Sequence, residues 1–345
     1  MALVGLVATA CDQYVDDRAL RQAVLDLLRP AIPFDAHVWM LTDPATAVGC
    51  SPHAQIPSLD ALPSTVRLKY LSSTNRWTSL SGGIAVSLAS EPGVGAGDQA
   101  WRAFLRQEYG VADVASIAFI DEQGCWGFLE LWRRGDVFSR TELDRLSQAL
   151  EPVTAALHRA QIAAFAAAPA EQTDSGDPVV LLLAPDLEVR QQTPGVDACL
   201  RALLPTEDDR RPVPSAAYNV AAQLLAVEAG VDDHPPLSRV WLRPGRLVTL
   251  RAARLEHSAV AREESDIAVT IERCAPDERL ALFCRVHGLS ARESDVLRCL
   301  AEGDDTRTVA GRLFLSEYTV QDHLKSIFDK TGVRSRRALL ARAGG

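Results

Sequence analysis

The chain has no C-x-x-C pair, and its seven cysteines (11, 50, 125, 199, 274, 284 and 299) are scattered and odd in number. Zinc and disulfide frameworks need closer or paired spacing, so reduced thiols are expected. No run of about 18 apolar residues occurs, which leaves nothing to span a membrane as a helix. The opening "MALVGLVATACDQ" lacks a basic n-region and reaches Asp12 quickly, so no signal peptide is expected and the protein is placed in the cytoplasm. There is no G-x-x-x-x-G-K-[ST] loop and no internal repeat of 20–50 residues. No cluster of carboxylates or histidines suggests a metal centre, so neither catalytic residues, metal nor cofactor are expected.

Three weaker motifs are also set aside. "EPGVGAGDQAW" offers Gly93 and Gly95 of a dinucleotide fingerprint, but position 98 is Asp, a poor neighbour for pyrophosphate. Asp98 is expected instead to cap a helix. Cys125, in "GCWG", has no nearby His to activate it and is expected to be buried. Trp39, Trp77, Trp101, Trp126 and Trp132 suit an aromatic core better than a ligand pocket, and His37 and His53 are not taken as haem or metal ligands.

What is present is the material of more than one domain: 345 residues, 47% apolar, 23% charged, with a formal net charge of −9. The charge is uneven. From Leu289 onward ten Lys/Arg face eight Asp/Glu, and from Ser316 to Arg342 six face three. A mildly basic tail on an acidic body suits a small phosphate-facing module attached to something else.

Residues 1–165 alternate helix and strand patterns. "DRALRQAVLDLLRPAI" is an amphipathic helix, "AHVWMLTD" a strand, and "ASIAFIDEQGCWGFLELWRRGD" a hairpin turning at Asp121–Gly124. "SRTELDRLSQALEPVTAALHRAQIAAF" opens with a capping box at Ser139 and Glu142. Its leucine-rich ridge, roughly three heptads long, fits either helix pairing between subunits or packing on its own sheet. Pro152 should bend it. Residues 166–177 are small, polar and Pro/Gly-bearing, as in a linker. Residues 178–275 begin with a hairpin, continue with a helix at Val196–Leu204, and end in the strands "GRLVTLRAARLE" and "DIAVTIERCA" joined by the loop "HSAVAREES".

From 276 to 345 the pattern is wholly helical. "PDERLALFCRVHG" is expected to be capped by Asp277, and Ser290 and Glu293 form a second capping box. A short helix from about Thr306 to Leu313, the turn Phe314–Ser316 and a longer helix to Thr331 make helix-turn-helix geometry. There Val320, Leu324 and Ile327 pack inward while Gln321, Asp322 and Lys325 face a major groove. Lys can donate to guanine, Gln can pair with adenine and Asp can accept from cytosine. Ser316 and Thr319, at the positive end of the helix, suit a phosphate, and Lys330, Arg334, Arg336 and Arg337 are placed to hold DNA backbone. His323 is expected to be a packed helix residue.

"LSARESDVLRCLAEG" with "VAGRLFLSEYTVQDHLKSIFDKTGVRSR" resembles the LuxR-type helix-turn-helix over Leu289–Arg342. That resemblance implies double-stranded DNA as partner, base contacts from Gln321, Asp322 and Lys325, and a dimer contact through the last helix. Gln321 replaces the family's usual basic residue, and Asp304–Asp305 stand in a usually neutral turn. "RLKYLSSTNRW" (67–77) and "VASIAFIDEQGCWGFLELWRRG" (114–135) resemble a GAF sensor domain, and "PVVLLLAPDLEVRQQTPGVDACLRALLP" is similar to the start of a PAS domain, without the N-C-R flavin motif. The implied fold class is multi-domain α+β: two α/β sensor domains, GAF-like (1–165) and PAS-like (178–275), then an all-α four-helix LuxR-type domain (276–345). The implied function is a homodimeric, DNA-binding transcription regulator, with a small-molecule effector and RNA polymerase as further candidate partners. Two other readings are a signalling enzyme governed by the GAF-like part and a protein-interaction module.

Overall fold

The computed structural model describes residues 3–14, 16–80, 82–93, 95–167, 179–204, 212–243, 246–256 and 264–344. Its elements begin with α1 (Leu3–Gln13), α2 (Asp17–Leu28), β1 (Ala36–Thr42), β2 (Gly49–Gln55), α3 (Leu62–Leu71), β3 (Val86–Ser87), α4 (Ala96–Tyr109), β4 (Asp113–Asp121), β5 (Gly124–Arg133), α5 (Arg140–Ser147) and α6 (Leu150–Ala166). There follow β6 (Val179–Leu183), β7 (Val189–Gln192), α7 (Val196–Leu203), α8 (Ser215–Glu228), β8 (Leu237–Arg243), β9 (Arg246–Arg254) and β10 (Ile267–Arg273). The C-terminal helices are α9 (Pro276–Val286), α10 (Ala291–Ala301), α11 (Thr306–Leu313), α12 (Glu317–Thr331) and α13 (Arg336–Gly344). Most of the linker expected over 166–177, and most of the loop "HSAVAREES", lie outside the described residues.

By contacts the chain divides into two units: Met1–Ala160, Thr173–Leu242 and Val248–Glu272 form one, and Gln161–Gln172, Arg243–Leu247 and Arg273–Gly345 the other. The first holds two five-stranded sheets, ordered β2-β1-β5-β4-β3 and β7-β6-β10-β9-β8. In the first sheet β1 is antiparallel to both β2 and β5, and β4 to both β5 and β3. Every residue of β1 is buried, as are most of β4 and β5, so helices must cover both faces.

Register assigns the faces. Val38 lies opposite Glu130, Met40 opposite Phe128 and Ala36 opposite Trp132, so these side chains share one face. Trp77 stacks on Phe128 there and Lys69 of α3 pairs with Glu130. Trp39 and Leu129 occupy the other face, beside Gly127, and Leu157 of α6 approaches Gly127 on that side. The leucine-rich ridge therefore lies on its own sheet, with Leu143, Leu146, Val153 and Leu157 buried. Pro152 produces a break rather than a bend: lacking an N–H, it cannot bond the carbonyl of Gln148, where α5 ends and α6 begins anew.

Helix α8, buried on nearly all sides, packs on α3 and β2. Asp43, fully buried, accepts from the guanidinium of Arg239 at 2.6 and 2.9 Å, and Arg76 pairs with Asp232 at 3.0 Å. Thr46 donates to the Leu237 carbonyl and Ser238 to the Val48 carbonyl. Residues of the two sheets' segments are thus bolted together by buried polar contacts within one unit.

Two capping expectations are corrected. Helix α4 is capped by Gly95, and Asp98 stands three residues further in. Its buried carboxylate accepts from the hydroxyls of Ser72 and Ser73 and the backbone N–H groups of Ser73, Thr74 and Gly95. Burial opposes the charge, yet these bonds outweigh it and hold the carboxyl well below the usual range. Helix α9 is preceded by Ala275, without a side-chain cap; Pro276 fixes its first turn, and Asp277 complements the dipole from inside that turn.

The β4–β5 turn supplies a test. Asp121 accepts from the N–H groups of Gln123 and Gly124, and Gly124 has φ 144° with the Pro44 carbonyl 2.0 Å from where a Cβ would stand. Gly110, with φ 66°, has open space around it. Gly124→Ala should cost about 2 kcal/mol more than Gly110→Ala in denaturant titrations, because only the former adds a clash to the strain.

Candidate nucleic-acid interface

The C-terminal unit builds a helix-turn-helix from local signals. Asp305 caps α11 by accepting from the Thr308 N–H at 2.7 Å. Phe314 ends that helix in the left-handed region, φ 56°, and is 95% exposed. Ser316 then caps α12, accepting from the Thr319 N–H at 3.0 Å, with the two hydroxyls 2.8 Å apart. Val320, Leu324, Ile327 and Thr331 are buried. At 3.6 residues per turn, Gln321, Lys325, Tyr318, Asp329 and Asp322 fall between about 100° and 200° around the axis from Val320. All five are exposed.

Gln321 donates to the Thr306 hydroxyl at 3.3 Å, linking α12 to the start of α11, and no ion pair holds Asp322 or Lys325 among the described residues. Ser316 is exposed and Thr319 half-buried at the α12 N-terminus. Arg334 and Arg337 are exposed; Arg336 is half-buried and donates to the Asp304 carbonyl. Lys330 stands apart from these: its ammonium donates to Glu293 at 2.7 Å and to the Gly288 carbonyl at 3.1 Å. His323 is half-buried. The acidic turn is occupied too, since Asp305 is the α11 cap and Asp304 pairs with Arg312, which also holds Glu302 at 2.6 Å.

Glu293 sets the pose of α12. Besides completing the capping box at the Ser290 N–H, 2.6 Å, its carboxylate accepts from Ser326 at 2.6 Å and from Lys330. The sequence signals the capping box but not this second duty, because a contact spanning 33 residues leaves no local periodicity. Burial raises the carboxyl, but Lys330, Ser326 and Ser290 together bring it from 4.5 down to about 2.

The other sequence candidates fall elsewhere. Cys125 is buried and its thiol is pushed up to about 12, chiefly by burial. His37 is buried beside His53, ring centroids 5.7 Å apart, and burial lowers it to about 4. Trp39 stacks on Phe119 and Trp126 on His158, whereas Trp77, Trp101 and Trp132 line a cavity of the first unit. Among the described residues, Asp232, Asp233 and His234 come close enough to hold a cation, but Asp232 already binds Arg76, Thr78 and His234.

Residues 287–343 match the profile of the bacterial regulatory proteins of the luxR family. The spore germination protein GerE of Bacillus subtilis (strain 168) is 38% identical over 48 residues, 14% of this chain and 65% of that protein; the chain thus spans just under two thirds of that relative's length. The crystal structure of the N-acylhomoserine lactone-dependent LuxR family transcription factor CepR2 from Burkholderia cenocepacia aligns at 18% identity and a TM-score of 0.31, over 46% of this chain and 95% of that one. The family match is confined to the C-terminal helices, residues 287–343. Among the described residues no helix is long and apolar enough to cross a membrane.

Because the Glu293 carboxyl is lowered on folding, its stabilisation is complete above about 4.5 and fades as pH falls toward 2. Glu293→Gln should cost about 2 kcal/mol at pH 7, and the gap to wild type should narrow between pH 4.5 and pH 3 in urea titrations followed by circular dichroism.

Proposed function

We propose that the chain is a sequence-specific, DNA-binding transcription regulator rather than an enzyme, acting in the cytoplasm as a homodimer. The observation that carries this reading is the division of α12: an aliphatic ridge buried at Val320, Leu324 and Ile327, and an amide, a carboxylate and an ammonium exposed opposite it at Gln321, Asp322 and Lys325. In the major groove these three read base edges. Ser316 and Thr319 seat a phosphate at the α12 N-terminus, and Arg334, Arg336 and Arg337 hold the flanking backbone. Lys330 adds its charge from the edge while tied to Glu293.

The proposed organisation keeps a GAF-like sensor with its signalling helix at 1–165, a linker at 166–177, a PAS-like domain at 178–275 and the DNA-binding domain at 276–345. A dimer presents two copies of α12 about one helical turn apart on a pseudo-palindrome. The sensor region biases that arrangement.

Selection of bound sites from random duplexes, followed by gel-shift titration, tests the assignment. Lys325→Ala should weaken the selected site by about 1–3 kcal/mol and relax preference at one base position. Arg337→Ala should weaken all duplexes alike and reduce the salt slope by about one. Equal affinity and unchanged preference for Lys325→Ala would remove Lys325 from the base readers, and salt-independent binding would remove the DNA reading itself.

A further inference from the structure

The first unit holds a cavity of about 690 Å³, partly open to solvent and within the range of small-molecule sites, that the DNA-binding reading does not use. Its floor is the sheet face carrying Val38, Met40, Glu130 and Trp132, and its walls come from α3 and α8. Most of the lining is aliphatic or aromatic. Into this surface the fold sets one ion pair, Lys69 with Glu130, both about 1% exposed.

The two partners are unequally satisfied. Glu130 also accepts from the Ser116 hydroxyl and the Trp132 indole N–H, each at 3.3 Å. Lys69 has three N–H bonds to give, and Glu130 is its one acceptor among the described residues. Its ammonium lies 5.8 and 5.7 Å from the ring centroids of Trp77 and Trp101, which supply cation–π attraction but no lone pair. An ammonium taken out of water at such cost, with donors to spare, is one set to receive an acceptor.

Charge narrows the class of that acceptor. Glu130 already neutralises Lys69, so an anion would leave the pocket negative. Arg18 is exposed at the rim, and burial lowers the His53 pKa, so neither supplies an inner positive charge. The lining Asn219 donates to the Ser215 carbonyl, and its own Oδ1 is buried without a partner among the described residues.

We propose that this cavity binds a neutral, largely apolar small molecule whose carbonyl oxygen is taken by the Lys69 ammonium beside Trp77 and Trp101. The proposal deepens the sensor reading and rests on it only for its regulatory meaning, since the binding is measured without DNA.

Prodan, a neutral naphthyl ketone whose emission shifts to the blue in apolar surroundings, is the probe, titrated into the full chain. Dimethylaminonaphthalene, the same ring without the carbonyl, is the control. Saturable, blue-shifted prodan binding is expected, at least about tenfold tighter than the control, as befits a hydrogen bond to a charged donor. The neutral double variant Lys69→Met/Glu130→Gln should lose that preference while binding the control as before, and Val66→Phe, which fills the cavity, should weaken both ligands. Absence of saturable binding, equal affinity for probe and control in wild type, or full retention of the preference by a double variant that unfolds at the wild-type temperature overturns the proposal. Duplex binding is measured on the same samples. Its loss alone overturns the regulator reading, and loss of prodan binding alone overturns the pocket.

Discussion

The Glu293 carboxylate sits where two helices make incompatible demands unless their relative pose is fixed. It completes the cap of α10 at the Ser290 N–H, and from the same two oxygens it holds Ser326 and Lys330 of α12. A rotation of α12 by one residue, about 100°, would carry Ser326 and Lys330 away together and turn Val320, Leu324 and Ile327 toward water. Hydrophobic burial sets how strongly α12 adheres; the carboxylate specifies which of its faces adheres. The exposed row at Gln321, Asp322 and Lys325 follows from that choice. The residues proposed to read bases are orderly because another residue, on another helix, is fully hydrogen-bonded.

The same logic recurs in the first unit with larger charges. Asp43 with Arg239 and Arg76 with Asp232 are buried pairs joining the segments of two sheets. Buried pairs of this kind are poor sources of net stability, but separating them is costly, so they penalise alternative packings more than they reward the native one. Asp43 and Asp232 are each surrounded by several donors, backbone N–H groups included. Lys69–Glu130 differs on the cation side: Arg76 donates to the Thr78 hydroxyl and the Ser72 carbonyl besides its carboxylate, whereas Lys69 has Glu130 as its one acceptor among the described residues. A pair that served packing alone would be satisfied on both sides.

Local signals carried the C-terminal unit in the sequence. The capping box at Ser290, the Ser316 cap, Gly332 in the left-handed region and the spacing of Val320, Leu324 and Ile327 are all contained within a turn or two of chain. The β4–β5 hairpin was equally legible, because Asp121 and Gly124 make the turn by themselves. Asp98 shows where this fails. A carboxylate near a helix start reads as a cap, yet its partners at Ser72, Ser73 and Thr74 lie about 25 residues away. Helix α8 is buried nearly all round, so it has no amphipathic period to display, and β2 carries a Pro and a His where alternation would be sought.

Five of the six tryptophans separate along the same line. Sequence could weigh them only as a group, core against pocket. The register of β1 with β5 sends Trp39 to the face under α6 and Trp132 to the face under α3, a difference of odd and even positions that means nothing until the pairing is known. Lys69 and Glu130 belong to the two stretches that carry the GAF resemblance, and neither stands out there as a buried charge. Lys69 looks like an ordinary surface residue of a helix, and Glu130 interrupts an apolar strand as solvent-facing residues often do. Only when Glu130 is found opposite Val38, on a face closed by α3, does the interruption become an anion deep inside the protein. It must then have a cation, and the cation's remaining donors become the most specific chemical feature of the cavity.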